Sequence, residues 1–419
     1  MRGYVVTITV LLIIVTTVTA RGRSEPEPAP IMVGVLAVGV GFDTIQGQDG
    51  FRGFAMAIAE YEGEVAGRRI VTRRYYSDGT PESAVATARQ AIDEDEVDIL
   101  IGPLAAEEGI AIAEFAKTRP DRTFINGSAA APEATLSVGA RNFFRFSLDA
   151  MQWQGGLGTY AYENRGYRRI AAVAEDYTFQ HTQWMGFSLE FEALGGRVAA
   201  VLQVPIDTEE FGSVIAALPH EDEIDAIWLG LRGSKAVTFL QQYVQAGRTA
   251  PLVGSSVTVD STLLAVGEPY RESLMGTLSA GPVAVDVDTP EWTAFLDTYR
   301  EEYPQGFAAP SMFCHAYYVG TQAMLRALHE VDGDLSDGQV RFRAALQELD
   351  FVHPAGRVRL DHNRQAIGSN VITRVVQDAD GNLFNSAVRI AHDVNQTMSV
   401  PEHEFQKMLQ AAPGRSADR

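Results

Sequence analysis

Cysteine is nearly absent. Cys314 is the single one in 419 residues, which excludes any intrachain disulfide and any zinc site built from several thiolates. Basic residues are outnumbered: 34 Lys plus Arg stand against 54 Asp plus Glu, for a formal charge of −20. A field of that sign repels phosphate backbones and anionic headgroups, so nucleic acid is excluded as a natural partner. Beyond Pro30 no apolar stretch is long enough to cross a bilayer. Nucleophile elbow, H-E-x-x-H, P-loop and calcium-loop patterns are all missing. Gly39-Val-Gly41 lacks the third glycine of a dinucleotide fingerprint. The eight histidines have no metal-ligand spacing, and the acidic runs Asp332-Gly-Asp334 and Asp93-Glu-Asp95-Glu96 are not followed by a bidentate Glu at calcium spacing. With no converging nucleophile and base, the expectation is a protein without cofactor, metal or catalytic activity.

Hydrophobic residues nevertheless make up 46% and aromatics 9%, the proportions of a chain that buries a core, and the length suits two or three packed units. The first twenty residues differ from the rest. Arg2 precedes an apolar run from Tyr4 to Val18, and Val18-Thr19-Ala20 offers the small residues of a cleavage site. Residues 1–20 therefore read as a signal peptide, with an uncleaved anchor as the alternative, and the Pro-rich residues 21–30 as a linker. The mature protein is expected in the periplasm.

From Ile31 short β-branched runs alternate with segments of helical period, which predicts α/β architecture with parallel sheets covered by helices. Strands are expected at Ile31 to Val38, Ile70 to Tyr76, Val97 to Leu104 and Thr123 to Asn126, with helices between them. Thr80-Pro81-Glu82 and Thr289-Pro290-Glu291 mark helix starts, because Thr caps, Pro suits the first turn and Glu favours the positive end of the dipole. After Ala150 the pattern restarts with a helix over Gln152 to Glu163 and strands at Ile170 to Ala174, Val198 to Val204, Ala226 to Gly230 and Leu252 to Gly254. Residues 290–350 read as helical and 358–390 as strands turning at Asp380-Gly381. Two doubly wound lobes follow, residues 31–148 plus 281–354 and residues 149–280 plus 355–394. Three crossover segments join them, near Ser147 to Ala150, Leu278 to Val283 and His353 to Gly356. Residues 395–419 read as a flexible tail.

Open α/β sheets bind ligands outside the carboxyl ends of their strands. Here those ends are Ile101-Gly-Pro-Leu-Ala105-Ala106-Glu107, Ile125-Asn-Gly127-Ser128-Ala-Ala130-Ala-Pro132, Ala174-Glu-Asp-Tyr177-Thr-Phe179, Leu229-Gly-Leu-Arg232-Gly233-Ser234 and Val253-Gly-Ser255-Ser256. Together with Ala59-Glu60, Gly67-Arg68, Asp78-Gly-Thr-Pro81, Val97-Asp-Ile-Leu-Ile101-Gly-Pro103, Ala131-Pro-Glu133, Phe144-Arg-Phe146 and Leu194-Gly-Gly196, they make the mature chain, from Ile31 to about Ile390, resemble the type I periplasmic solute-binding proteins of ABC transporters. The likeness is to the branch that takes leucine, isoleucine, valine and related amino acids, amides and aromatic acids. It implies a Venus-flytrap fold, a small solute bound between the lobes, a membrane permease as partner and a monomer. A ligand-sensing subunit of a signalling receptor is the alternative role.

The resemblance also places a ligand site at Gln46, Ala105, Ala106, Ser128, Ala130, Tyr177, Phe179, Arg232 and Ser256. Several of these depart from the amino-acid-binding pattern. Ala106 and Ala130 stand where hydroxyls grip an α-carboxylate, Ser256 where an acid takes the ammonium, Arg232 where Tyr is frequent, and Gln46 where an aromatic is common. In the D-Y-x-F-G turn the glycine is replaced by Gln180. Arg232 has two readings, a cleft cation for a carboxylate or a surface ion pair at a helix start. The leader itself is directly testable. Intact-mass measurement on periplasmic protein is expected to give a chain beginning near Arg21, whereas Met1 retained in a membrane pellet would establish the anchor instead.

Overall fold

The computed structural model describes residues 28–40, 44–267 and 270–411; the expected signal peptide lies outside them. Ile31–Val38 (β1) is apolar without interruption, and all but Met32 are buried. Such a run suits a central strand covered on both faces. β1 pairs in parallel with Arg68–Ser77 (β3) and Ile99–Ile101 (β4), Val33 lying opposite Thr72 and Ile99. Glu64–Val65 (β2), Thr123–Ile125 (β5) and Phe143–Phe144 (β6) complete a sheet of order β2-β3-β1-β4-β5-β6.

A second sheet is built the same way. Arg169–Glu175 (β7), Arg197–Val204 (β8), Ala226–Gly230 (β9), Leu252–Gly254 (β10) and Leu278–Gly281 (β11) run parallel in the order β8-β7-β9-β10-β11. Asp350–His353 (β12), Gly356–Leu360 (β13), Ala366–Gln377 (β14) and Leu383–Val394 (β15) follow, β14 lying antiparallel between β11 and β15. The result is two α/β lobes with helices on their sheets. Both Thr-Pro-Glu signals cap as the sequence predicts: the Thr80 hydroxyl accepts from Ser83 N–H at 3.3 Å and that of Thr289 from Trp292 N–H at 3.2 Å.

Helices Thr44–Ala59 and Met312–Glu330 cover one face of the first sheet at close approach. A Cβ on Gly53 would sit 1.9 Å from the Cys314 carbonyl oxygen, so only glycine permits that spacing. Tyr317, fully buried on the second of these helices, donates to Leu36 O at 2.6 Å and fixes the helix to β1.

Three expectations are corrected. The helix over Gln152 to Glu163 is broken at Gly155-Gly156, the latter at φ +84°, into a short turn at Gln152–Gln154 and a helix at Leu157–Glu163. Asn370 causes the break, its amide donating to both Trp153 O and Gly155 O at 2.9 Å. His353 to Gly356 is a hairpin turn between β12 and β13, whose Phe351 and Val358 belong to the first lobe's core. The third crossing is instead the start of β14. Finally, the tail is not loose as far as it is described: Glu402–Ala411 is helical, and fully buried Phe405 packs with Leu136, Met151 and Met185.

Where the first and third crossings meet, Arg145 is buried completely. Its guanidinium donates to Ala129 O at 3.1 Å, Ala131 O at 2.7 Å, Thr135 Oγ1 at 2.9 Å and Gln365 Oε1, and lies 3.5 Å from buried Asp149. Removing one partner of a buried pair strands the other, at a cost of about 3 to 5 kcal/mol. Arg145→Met is therefore expected to lower the stability measured in urea by that amount. A loss below about 1 kcal/mol would show that the remaining donors to Asp149 suffice without the guanidinium.

Candidate functional site

In the first lobe the loops after β4 and β5 are tied together. Ser128 N–H and Ala129 N–H donate to Pro103 O at 3.1 and 3.3 Å, and the Ser128 hydroxyl donates to Leu104 O at 3.4 Å. That hydroxyl is thus engaged within the lobe, and Ser128 is almost wholly buried. Ala130, also buried, accepts from Ala150 N–H at 2.9 Å and so connects the loop to the first crossing. Ala105 precedes helix Ala106–Ala116, and its N–H donates to Glu108 Oε2 at 3.0 Å. Burial pushes the Glu108 carboxyl up from its ordinary value. The first amides of that helix have no partner within it, and with alanine at both positions they are the polar groups it offers there. Gln46, in the first turn of Thr44–Ala59, is half-buried, and its Oε1 has no partner.

The second lobe supplies side-chain chemistry. Tyr177 and Phe179 stack with ring centroids 6.1 Å apart and planes 18° from parallel, and Phe179 meets Trp153 edge-on at 5.9 Å. Arg232 lies over the Tyr177 ring at 5.1 Å, a distance at which a cation is drawn to the ring face. Three sequence-predicted positions come together, Tyr177, Phe179 and Arg232 forming one patch, while Ser256 is placed by other contacts. A methyl placed on Gly281 would touch both Ser256 and Met312 at 3.9 Å, so Ser256 of the second lobe approaches the start of helix Met312–Glu330 of the first. The Ser256 N–H donates to Gln183 Oε1 at 3.0 Å, while its hydroxyl is buried without a partner.

Glu175 and Lys235 were missed from sequence. The Glu175 carboxylate, fully buried at the end of β7, takes Lys235 Nζ at 2.7 Å on one oxygen and Arg232 Nε at 3.7 Å on the other. Arg232 therefore pairs with an acid and also faces an aromatic ring. The signal was present in Lys235. It is the second residue of helix Ser234–Gln245, where the helix dipole opposes a cation, and a lysine placed there implies a nearby carboxylate. Two cations, Arg232 and Lys235, thus stand around the one carboxylate of Glu175.

A small cavity at the junction of the crossings is lined by Phe146, Trp153, Pro282, Met312, His315 and His353. The two imidazoles are buried, His315 Nε2 lying 3.1 Å from His353 Nδ1, which also accepts from Ala355 N–H at 3.2 Å. Burial lowers both, His315 to about 4. Among the described residues no group of three or more His, Cys, Asp or Glu is placed to hold a metal ion, and no helix is long and apolar enough to cross a membrane.

Two α/β lobes, joined by three crossings and facing each other with the carboxyl ends of their strands, define the class of protein that closes on a small solute. The chain belongs to the periplasmic binding protein family, whose model matches residues 30–382. That family is made of solute-binding proteins and not of enzymes. Among curated proteins, a Leu/Ile/Val-binding protein homolog from Brucella melitensis is 22% identical over 364 residues, spanning 85% of this chain and 90% of the relative. Among solved structures, an ABC transporter substrate-binding protein from Sphaerobacter thermophilus has a TM-score of 0.81 at 26% identity, covering 88% of this chain and all of that one, 100%. A solute-binding protein of an ABC transporter from R. palustris, in complex with 4-hydroxybenzoate, has a TM-score of 0.77 at 22% identity, with 89% and 100% covered.

The histidine pair yields a pH prediction. The folded value of His315, about 4, lies below its ordinary 6.5, so the unfolded chain binds a proton that the folded one refuses. Stability is then complete above pH 6.5 and is lost as pH falls toward 4, by about 3 kcal/mol for His315 alone. Denaturant titrations between pH 7 and 4 are expected to show this slope, and His315→Gln to flatten it. An equal slope in the variant would assign the acid sensitivity to other groups.

Proposed function

We propose that the chain is the extracytoplasmic solute-binding subunit of an ABC importer, working in the periplasm as a monomer after loss of residues 1–20 and delivering its solute to a membrane permease. The solute is a small carboxylate with an apolar or aromatic body, held between the lobes. The observation that carries this reading is the second-lobe patch, in which the Arg232 guanidinium, close to Glu175 and Lys235, lies over the Tyr177 ring that stacks with Phe179. Arg232 offers a planar fork suited to a carboxylate, and the rings offer a face to an aromatic or aliphatic body.

An ordinary α-amino acid fits this surface less well. Its ammonium needs an acid, and Ser256 has none to give; Glu175 is covered and already paired with Lys235. A desolvated, unpaired ammonium costs several kcal/mol. The R. palustris neighbour, crystallised with an aromatic carboxylate, supports the same direction. In the first lobe, backbone amides at the start of helix Ala106–Ala116 and the loop Ser128–Ala130 supply the second half of the grip. A solute bridging both lobes favours the closed form by its differential affinity for the two states.

Thermal-shift and calorimetric titrations with benzoate, 4-hydroxybenzoate and leucine test the reading. A ligand at 100 times its dissociation constant adds about 2.7 kcal/mol of stability, so an aromatic acid is expected to raise the melting temperature and leucine to leave it nearly unchanged. Arg232 is partly exposed, so Arg232→Ala is expected to weaken the acid by about 1 to 3 kcal/mol. Tight leucine binding, indifferent to Arg232→Ala, would remove the carboxylate selectivity and leave the family and fold untouched.

A further inference from the structure

Gln180 stands next to Phe179 in the first turn of helix Thr178–Ala193 and is completely buried. Neither its amide oxygen nor its amide nitrogen has a hydrogen-bond partner. Among the described residues it is the one side-chain amide unpaired at both atoms. Nearby glutamines of comparable burial are engaged: Gln183 donates to Ala150 O at 2.8 Å and accepts from Ser256 N–H at 3.0 Å, and Gln154 donates to Gln183 Oε1 at 2.8 Å and accepts from Trp228 Nε1 at 3.2 Å. Buried amides are expensive to leave unpaired, and a native protein that does so has a use for the group.

The position of the amide indicates that use. Its Oε1 lies 2.9 Å from where a Cβ on Gly230 would sit, which places it over the carboxyl end of β9, two residues ahead of Arg232. Two further buried polar atoms of this region have no partner. One is the hydroxyl of Ser256, held by its backbone to Gln183 one helical turn beyond Gln180; the other is Nε1 of Trp153, whose ring contacts Phe179.

We propose that Gln180 is a specificity-determining residue, and that its amide, aided by the unpaired Ser256 hydroxyl, reads a hydroxyl group on the body of the solute. A hydroxyl both donates and accepts, and so complements an amide that presents one acceptor and two donors. A solute whose body is hydrocarbon alone leaves the amide unpaired, and sites built to bond a hydroxyl reject the analogue that lacks it. The inference rests on the carboxylate reading above and narrows it to hydroxylated carboxylates.

Calorimetry with benzoate and with 2-, 3- and 4-hydroxybenzoate, on the wild type, Gln180→Met, Gln180→Gly and Ser256→Ala, tests it. The wild type is expected to bind at least one hydroxybenzoate ten-fold or more tighter than benzoate. Gln180→Met, close in volume and lacking the amide, is expected to bring that ratio within three-fold, and Ser256→Ala to reduce it. Should Gln180→Met fail to fold, Gln180→Gly removes the amide without adding bulk and gives the same readout. A wild type that binds benzoate and the hydroxybenzoates equally well, or variants that keep the wild-type ratio, would overturn the role of Gln180 while the carboxylate reading stood. A wild type that binds none of the four acids would take down both.

Discussion

The arrangement of the lobes depends on one buried cation. Arg145 enters the fold twice, through its backbone and through its side chain. Its backbone forms a parallel bridge to Gln365, with Arg145 N–H donating to Arg364 O at 2.9 Å and Ala366 N–H to Arg145 O at 2.8 Å. Its guanidinium holds the carbonyls of Ala129 and Ala131, the Thr135 hydroxyl and the Gln365 amide oxygen. Gln396 enters the same network from the chain's last described segment, donating to Thr135 Oγ1 and Asp149 Oδ2 at 2.9 and 3.0 Å. Desolvation is costly for both charges, pulling Arg145 down and pushing Asp149 up from their ordinary values. A buried ion pair of this kind contributes more to fixing a unique arrangement than to net stability. Here it fixes where the loop carrying Ser128 and Ala130 lies relative to two of the three crossings.

A consequence for motion follows. Closure of two lobes requires the crossings to flex while the binding loops keep their shape. The residues around Arg145, Ala366 at the start of β14 among them, are buried and bonded on every side, so on the proposed reading flexing falls outside that network, in the stretch after β11 and in β14 beyond Ala366. Gln152, which donates to Ala366 O and Val394 O at 2.9 Å, marks the boundary between the fixed part and the moving part on the second lobe's side.

Much of this was readable beforehand where a single physical rule dominates. β1, β9 and β10 are apolar runs bounded by glycine or turn residues, and both Thr-Pro-Glu caps act locally, so burial and capping rules located them closely. The failures share one cause, a contact distant in sequence. Gly155-Gly156 breaks a helix because Asn370 takes the carbonyls there, more than two hundred residues on. Pro354-Ala355-Gly356 reads as a crossing, and the pairing of β12 with β13, with Phe351 and Val358 packed against the first lobe, makes it a hairpin turn instead. Phe405 and Met408, three apart, were a short amphipathic signal inside a polar tail, and the apolar surface of Leu136, Met151 and Met185 gave them something to cover. In the candidate site, that Tyr177, Phe179 and Arg232 meet follows from their place on strand-end loops. Glu175 was not legible, because a strand-end acid carries no local mark of the cations that will fold over it.

The distribution of chemistry between the lobes bears on how selection works. On the first lobe, Ala105, Ala106 and Ala130 have no polar side chain, and the Ser128 hydroxyl is committed to Leu104 O. What remains there is backbone, whose amides accept any anionic or carbonyl group without distinguishing the body attached to it. On the second lobe stand an Arg–Lys–Glu cluster, a stacked aromatic pair and the unpaired polar atoms of Gln180 and Ser256. On the proposed reading, solutes are therefore discriminated by the second lobe, and the first contributes affinity to whatever the second has oriented. Since only a solute seated on both lobes favours closure, a weakly oriented molecule gains little from the backbone amides and shifts the population little. Selectivity and closure are then set by the same few side chains, and changes confined to the second lobe would alter which solute closes the protein without rebuilding the hinge.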